Sequence, residues 1–235
     1  MATIRTATES AAKAARSEPG VVRYNRPARW LHAALYLATA ALLVTGWWLR
    51  TGHEGEPSVL AELFGSPDTD VHETAGWVLL GIGLAGPLLG IRATITFLRE
   101  TFRVDRGDGA WFWRWPRGAV TGRFGRHRGH FDPGQRIANV AFVATLGTLI
   151  VTGVTLTTLS GGSTFATMVR VHRVATYVLT ALVAGHLVIT LGLLPGYRGV
   201  WRAMHFRGRV PEATARRVWP ASVASDRRSE ATQEL

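Results

Sequence analysis

No cysteine occurs in the 235 residues, which excludes disulfides, thiolate-held iron–sulfur clusters and cysteine nucleophiles within this chain. Any iron–sulfur cluster serving the protein belongs to a partner. Lys and Arg are missing from residues 51–71, which carry Glu54, Glu56, Glu62, Asp68 and Asp70 instead, and the turn 160–165 has no charge. Residues 1–27 lack the short apolar core and small-residue cleavage site of a secretory signal. That segment is expected to be a mobile, basic N-terminus, followed by a first apolar helix retained as an anchor. Gly107, Gly109, Gly118, Gly122, Gly125 and Gly129 match no phosphate-cradling spacing and follow no strand, so residues 98–136 are expected to form a loop.

What the chain does have is four long apolar runs, at about residues 28–49, 74–97, 137–159 and 166–194. Each is long enough for a helix to cross a hydrocarbon core of ~30 Å, which takes ~20 residues. Helices satisfy their own backbone polar groups in lipid and open strands do not. The expectation is an all-α membrane protein, a four-transmembrane-helix bundle over residues 28–196, with a basic tail at 197–235. A formal charge of +11 would suggest nucleic acid in a soluble protein, but its distribution argues otherwise. Six basic residues precede or open the first run, nine lie in 98–136 and eight follow residue 196. The positive-inside rule then puts both termini and the middle loop in the cytoplasm, and 51–71 and 160–165 outside. Trp111, Trp113 and Trp115, beside Arg114 and Arg117, suit an interfacial anchor in the headgroup layer, as do Trp30, Trp47, Trp48 and Trp201 at the helix ends.

Of eight histidines, His53, His127, His130 and His205 fall in polar segments and are expected to be solvated, while His32, His72, His172 and His186 fall in or at the apolar runs. Ionisable side chains in a membrane are costly and mark ligands or proton relays, although a hydrogen bond between helices is the competing role for any one of them. His172 and His186 are fourteen residues apart, which on one helix means ~21 Å along the axis and only ~40° around it. The first helix runs outward from His32 and the second inward from His72. Depth therefore pairs His32 with His186 near the cytoplasm and His72 with His172 near the outer surface. Each pair can supply both axial ligands of one haem, leaving no open position for oxygen chemistry, so electron transfer is the expected activity. Four imidazoles split between two depths cannot make one tetrahedral zinc site. A haem-free membrane anchor is the alternative from a different class.

Arg29-Trp-Leu-His32 opening the first helix, His72 opening the second, Phe131-Asp-Pro-Gly-Gln-Arg136 opening the third, His172 and His186 in the fourth, and Tyr197-Arg-Gly-Val-Trp-Arg202 together resemble a known subunit. It is the cytochrome b (gamma) subunit of respiratory membrane-bound formate dehydrogenases, within the bacterial cytochrome b561 and nickel–iron hydrogenase cytochrome b family. The resemblance implies a bacterial inner-membrane protein with two haem b groups. It also implies an iron–sulfur beta subunit and a molybdenum or tungsten catalytic alpha subunit as partners, and a quinone, menaquinone or ubiquinone, as acceptor. The quinone site it implies is Gly134, Gln135, Asp132 and His186. Most relatives have Asn where this chain has Asp132, so that carboxylate is either a quinone contact or a helix-opening cap. A cytochrome b serving a hydrogenase or another oxidoreductase, and a stand-alone b561-type protein, are the neighbouring alternatives.

Overall fold

A computed structural model of the chain describes residues 20–51, 56–125, 127–205 and 208–220. In chain order the elements are β1 (Gly20–Val22), α1 (Arg26–Arg50), α2 (Val59–Phe64), α3 (Asp68–Leu89), α4 (Ile91–Thr101), α5 (Asp108–Thr121), α6 (Pro133–Thr158) and α7 (Gly162–Thr190). A 3-10 turn (Pro195–Tyr197), α8 (Arg202–His205), β2 (Arg209–Pro211) and α9 (Glu212–Val218) follow. They fall into two compact units. The mobility expected of the N-terminus concerns mainly residues 1–19, and the end of the basic tail is residues 221–235; both lie outside the described residues. His53 does too.

One unit comprises residues 27–104 and 134–187, and is a helical bundle. Its apolar side chains point outward: Leu37, Val44, Leu84, Leu88, Val143 and Val151 are all exposed, while Thr45, Thr145 and Thr152 are buried. In water that arrangement would be inverted, and in lipid it is what a spanning bundle requires. Three helices, α1, α6 and α7, are long and apolar enough to cross a membrane, and α3 passes the same test only when joined to α4, from which it is bent by 97°. Small residues bring the helices close. A Cβ on Gly86 of α3 would come within 2.7 Å of Leu31 of α1. Trp47 donates from Nε1 to Thr180 Oγ1 at 3.1 Å, linking α1 to α7.

The second span differs from the straight helix expected over 74–97. It starts earlier, at Asp68, and breaks after Leu89, where α4 turns away by 97°. The cause is local. Pro87 has no N–H to continue the helical ladder, and Thr94 clasps the break, its Oγ1 donating to Pro87 O at 3.1 Å and to Gly90 O at 3.2 Å. Beyond the break, Ile91, Ile95, Leu98 and Phe102 follow one another at helical spacing and are all exposed. Arg92, Arg99 and Arg103 flank that stripe, which is the pattern of a helix lying in the headgroup layer. Arg136 of α6 fixes its end, donating to Arg103 O at 3.0 Å. The acidic connection before α3 also has structure: Ser58 caps α2 and its hydroxyl donates to the Asp68 carboxylate.

The described residues of the other unit fall within 20–26, 105–133 and 188–220, and here several expectations are corrected. Residues 20–22 are strand, pairing antiparallel with β2 so that Val21 faces Val210. Residues 108–121, expected as loop, are α5, and the start of the basic tail folds into α8, β2 and α9. The reason is a small apolar core of Ala119, Tyr197, Ala203, Val210, Ala215, Val218 and Trp219, whose members are spread too thinly along the sequence for periodicity to show them. The tryptophan run divides accordingly. Trp111 is 3% exposed and Trp113 90% exposed, leaving Trp113 alone of the three free for a headgroup layer. Trp115 donates from Nε1 to the Tyr197 hydroxyl at 2.8 Å. Burial first, and then the Asp132 carboxylate, push the Tyr197 phenol above its ordinary pKa, so it stays neutral. His127 and His130, expected to be solvated, are half-buried and bonded: His127 Nε2 donates to Val218 O at 3.1 Å, and Arg23 donates to His130 Nδ1 at 2.9 Å and to its carbonyl. His205 is exposed as expected.

Gly196 holds this core closed. A Cβ there would lie 2.4 Å from Gly118 O and 2.8 Å from Ala119 O, both backbone atoms that cannot swing aside. Gly196→Ala is expected to cost ~1–3 kcal/mol of local stability by overpacking. Limited trypsin digestion measures it at the arginines of 198–217, where faster cleavage is expected; an unchanged rate would refute the packing argument.

Candidate functional site

All four intramembrane histidines lie in the bundle unit, and the structure brings them together as two pairs. His32, in the second turn of α1, meets His186, near the end of α7, with ring centroids 6.3 Å apart and planes at 41°. His72, in the second turn of α3, meets His172, in the third turn of α7, also at 6.3 Å, with planes at 76°. Phe142 of α6 sets its ring edge-on to His186 at 5.7 Å, and Tyr36 lies 5.8 Å from His32.

The separation tests what each pair can hold. Imidazoles facing each other for a direct ring contact pack at ~4.5–7 Å, so distance alone does not decide. With metal–nitrogen bonds of ~2.0–2.1 Å and ~1.2 Å from each ring nitrogen to its centroid, two imidazoles on opposite sides of one metal would have centroids ~6.4–6.6 Å apart. Both pairs, at 6.3 Å, come close to that spacing. Among the described residues no group of three or more His, Cys, Asp or Glu side chains could hold a metal ion, so each pair offers a metal two imidazoles and no third ligand of those types. A haem supplies four.

Space and charge at the His72/His172 pair fit the same group. A cavity of about 350 Å³ opens against both rings, with Leu42, Leu79, Leu146, Leu149 and Gly76 among its lining. A second, of about 210 Å³, touches both rings and includes Arg50 and Arg173. An apolar cavity and an arginine-lined one against the same two rings suit a flat apolar macrocycle with carboxylate substituents, since Arg matches carboxylates well. These arginines are exceptions to the charge pattern of the sequence, standing at the end of the bundle where basic residues are otherwise scarce. Haem b, when bound, supplies a reversible one-electron couple. His72, His172, Arg50 and Arg173 would hold it at this pair, and His32 and His186 at the other.

Sequence reasoning missed Thr45, Gly46, Thr152, Gly153 and Phe142. Thr45 Oγ1 lies 2.8 Å from His72 Nδ1, and Thr152 Oγ1 2.8 Å from His172 Nδ1. A Cβ on Gly46 would stand 3.2 Å from His72 Cε1, and one on Gly153 3.6 Å from His172 Cε1. The signal that would have found them is the recurrence of Val-Thr-Gly at 44–46 and 151–153. Of the four residues expected at a quinone, Gly134 and Gln135 are half-buried in the first turn of α6, in the bundle unit with His186. Asp132 is buried and belongs to the other unit.

An outward-apolar bundle with two histidine pairs inside it is what a membrane cytochrome b requires. Comparison with protein families agrees: the family described as prokaryotic cytochrome b561 matches residues 23–207. The chain belongs to that family, and is a multi-pass membrane protein of haem b electron transfer. No curated protein matches it.

Proposed function

We propose that this chain is the di-haem cytochrome b subunit of a respiratory formate dehydrogenase, carrying electrons across the membrane between two bis-histidine haem sites. The observation that carries the proposal is that one helix, α7, joins two histidine pairs at different depths, one of them opening on an apolar cavity and on Arg50 and Arg173. Charge supplies the direction. Residues 51–71 carry no Lys or Arg, and the segments at the other end are rich in Arg, so His72 and His172 face outside and both termini face the cytoplasm. Electrons enter at His72/His172 from an iron–sulfur partner and leave at His32/His186 to a quinone. Gln135 lies on the same face of α6 as Phe142, seven residues on, which touches His186. That supports a quinone site of Gly134, Gln135 and His186, ~10–12 Å along α6 from the ring contact. Protons for the quinone then come from the cytoplasm, and charge separation across the membrane follows.

The family match is broader than the formate dehydrogenase branch, and it supports a b561-type protein working with another oxidoreductase, or alone, as the second reading. Affinity purification of the tagged chain from its native membrane distinguishes them. The proposal expects an iron–sulfur subunit and a molybdenum- or tungsten-containing subunit to come with it, and formate to reduce its b-type bands. Recovery of the haem protein without such subunits, unresponsive to formate, would overturn the formate assignment.

A further inference from the structure

Thr45 and Thr152 stand on different helices, α1 and α6, yet each meets a histidine of the same pair in the same way. Both are buried, at 0% and 3% exposure. Each hydroxyl has one proton, and in each case a backbone carbonyl one turn back lies ready to take it. Thr45 Oγ1 donates to Ala41 O at 2.8 Å, and Thr152 Oγ1 donates to Thr148 O at 2.7 Å. With that proton committed, the oxygen can only accept from the imidazole. Nδ1 of His72 and of His172 therefore carries a hydrogen, and Nε2 presents its lone pair. The glycine after Thr45 keeps the space beside His72 Cε1 clear, where a Cβ would stand at 3.2 Å, while a Cβ on Gly153 would meet His172 Cε1 only in ordinary contact at 3.6 Å.

We infer that the two Val-Thr-Gly segments, 44–46 and 151–153, are a duplicated seat in which Thr45 and Thr152 fix the tautomer and ring direction of His72 and His172 as metal ligands. They are positioning residues, acting through the imidazoles. The inference rests on the assignment of these histidines as axial ligands. An Nδ1–H bonded to a buried acceptor makes Nε2 a stronger donor, which favours the more oxidised metal and lowers its reduction potential. Because the seats come from two helices, they also hold the two rings near perpendicular, at 76°.

The test uses the full-length chain in membranes, with Thr45→Val, Thr152→Val and the Ser variants at both positions. Redox titration and low-temperature electron paramagnetic resonance of the oxidised protein are the readouts. Each Val variant is expected to raise the midpoint potential of one haem, leave the other unmoved, and shift one of two low-spin ferric signals. The Ser variants, which keep the hydroxyl, are expected to match the wild type. Val variants with both potentials and both signals unchanged would overturn the inference while leaving the cytochrome assignment intact. So would Ser variants as perturbed as Val, since the methyl rather than the hydroxyl would then be responsible. A Val variant that fails to assemble leaves the Ser comparison to decide by the same criterion. A wild-type chain without b-type bands would overturn the underlying assignment instead.

Discussion

Replacing His72 or His172 by Ala is expected to halve the haem content, removing one b-type signal and leaving the other. Each ring stands alone opposite its partner at 6.3 Å, and with one imidazole gone a six-coordinate low-spin centre cannot form at that pair. The His32/His186 pair lies elsewhere along α7, so its signal should persist, and His32→Ala or His186→Ala should give the converse loss. Pyridine haemochrome assay and low-temperature difference spectra of the purified variants measure this. Formate-driven quinone reduction should fall by orders of magnitude in all four, because either loss breaks the route between the outer donor and the acceptor. Equal loss of both signals in every variant, with the protein still inserted and helical, would contradict two independent sites.

Gly134→Trp is expected to abolish quinone reduction in the purified complex while formate still reduces both haem signals. The first turn of a helix tolerates the change in backbone propensity, so the effect comes from bulk at the mouth of α6, on the side of Gln135 and Phe142. A stopped-flow experiment separates the two events: reduction of the b-type bands by formate at the wild-type rate, followed by no reoxidation on adding a quinone. Unchanged reoxidation would move the acceptor away from Gly134, Gln135 and His186.

The bundle was legible because lipid imposes a coarse requirement, about twenty apolar residues per span, that α1, α6 and α7 meet in plain sequence. The break in the second span was not, although Pro87 and Gly90 were visible, because glycine and proline occur within continuous membrane helices as well as at breaks. What decides is Thr94 reaching back to Pro87 O, a contact with no periodic signature. The folded unit built from residues 20–26, 105–133 and 188–220 was hidden for a different reason. Its core takes Val21, Ala119, Tyr197, Val210 and Trp219 from three separate stretches whose composition is polar and Arg-rich overall, and only tertiary packing makes them one cluster.

At the site, the histidines stood out because an ionisable group among apolar residues is costly, and helical geometry paired them by depth. The threonines did not stand out. Thr is common in these helices, and most of its hydroxyls here donate to a carbonyl one turn back, as Thr148, Thr155, Thr176 and Thr180 do. Thr45 and Thr152 do the same and differ in what their lone pairs face. Arg50 and Arg173 were legible as charges but not as a pair, because they come from α1 and α7 and meet only where the cavity between the helices ends.

The central claim is two bis-histidine haem b sites in this one chain. Haem-to-polypeptide stoichiometry of the purified wild-type protein, taken with its reduced-minus-oxidised spectrum, tests it most directly. The account predicts two haem b per chain, both low-spin and unaltered by carbon monoxide. One haem per chain or none, or a reduced spectrum that carbon monoxide shifts through an open axial position, would contradict it.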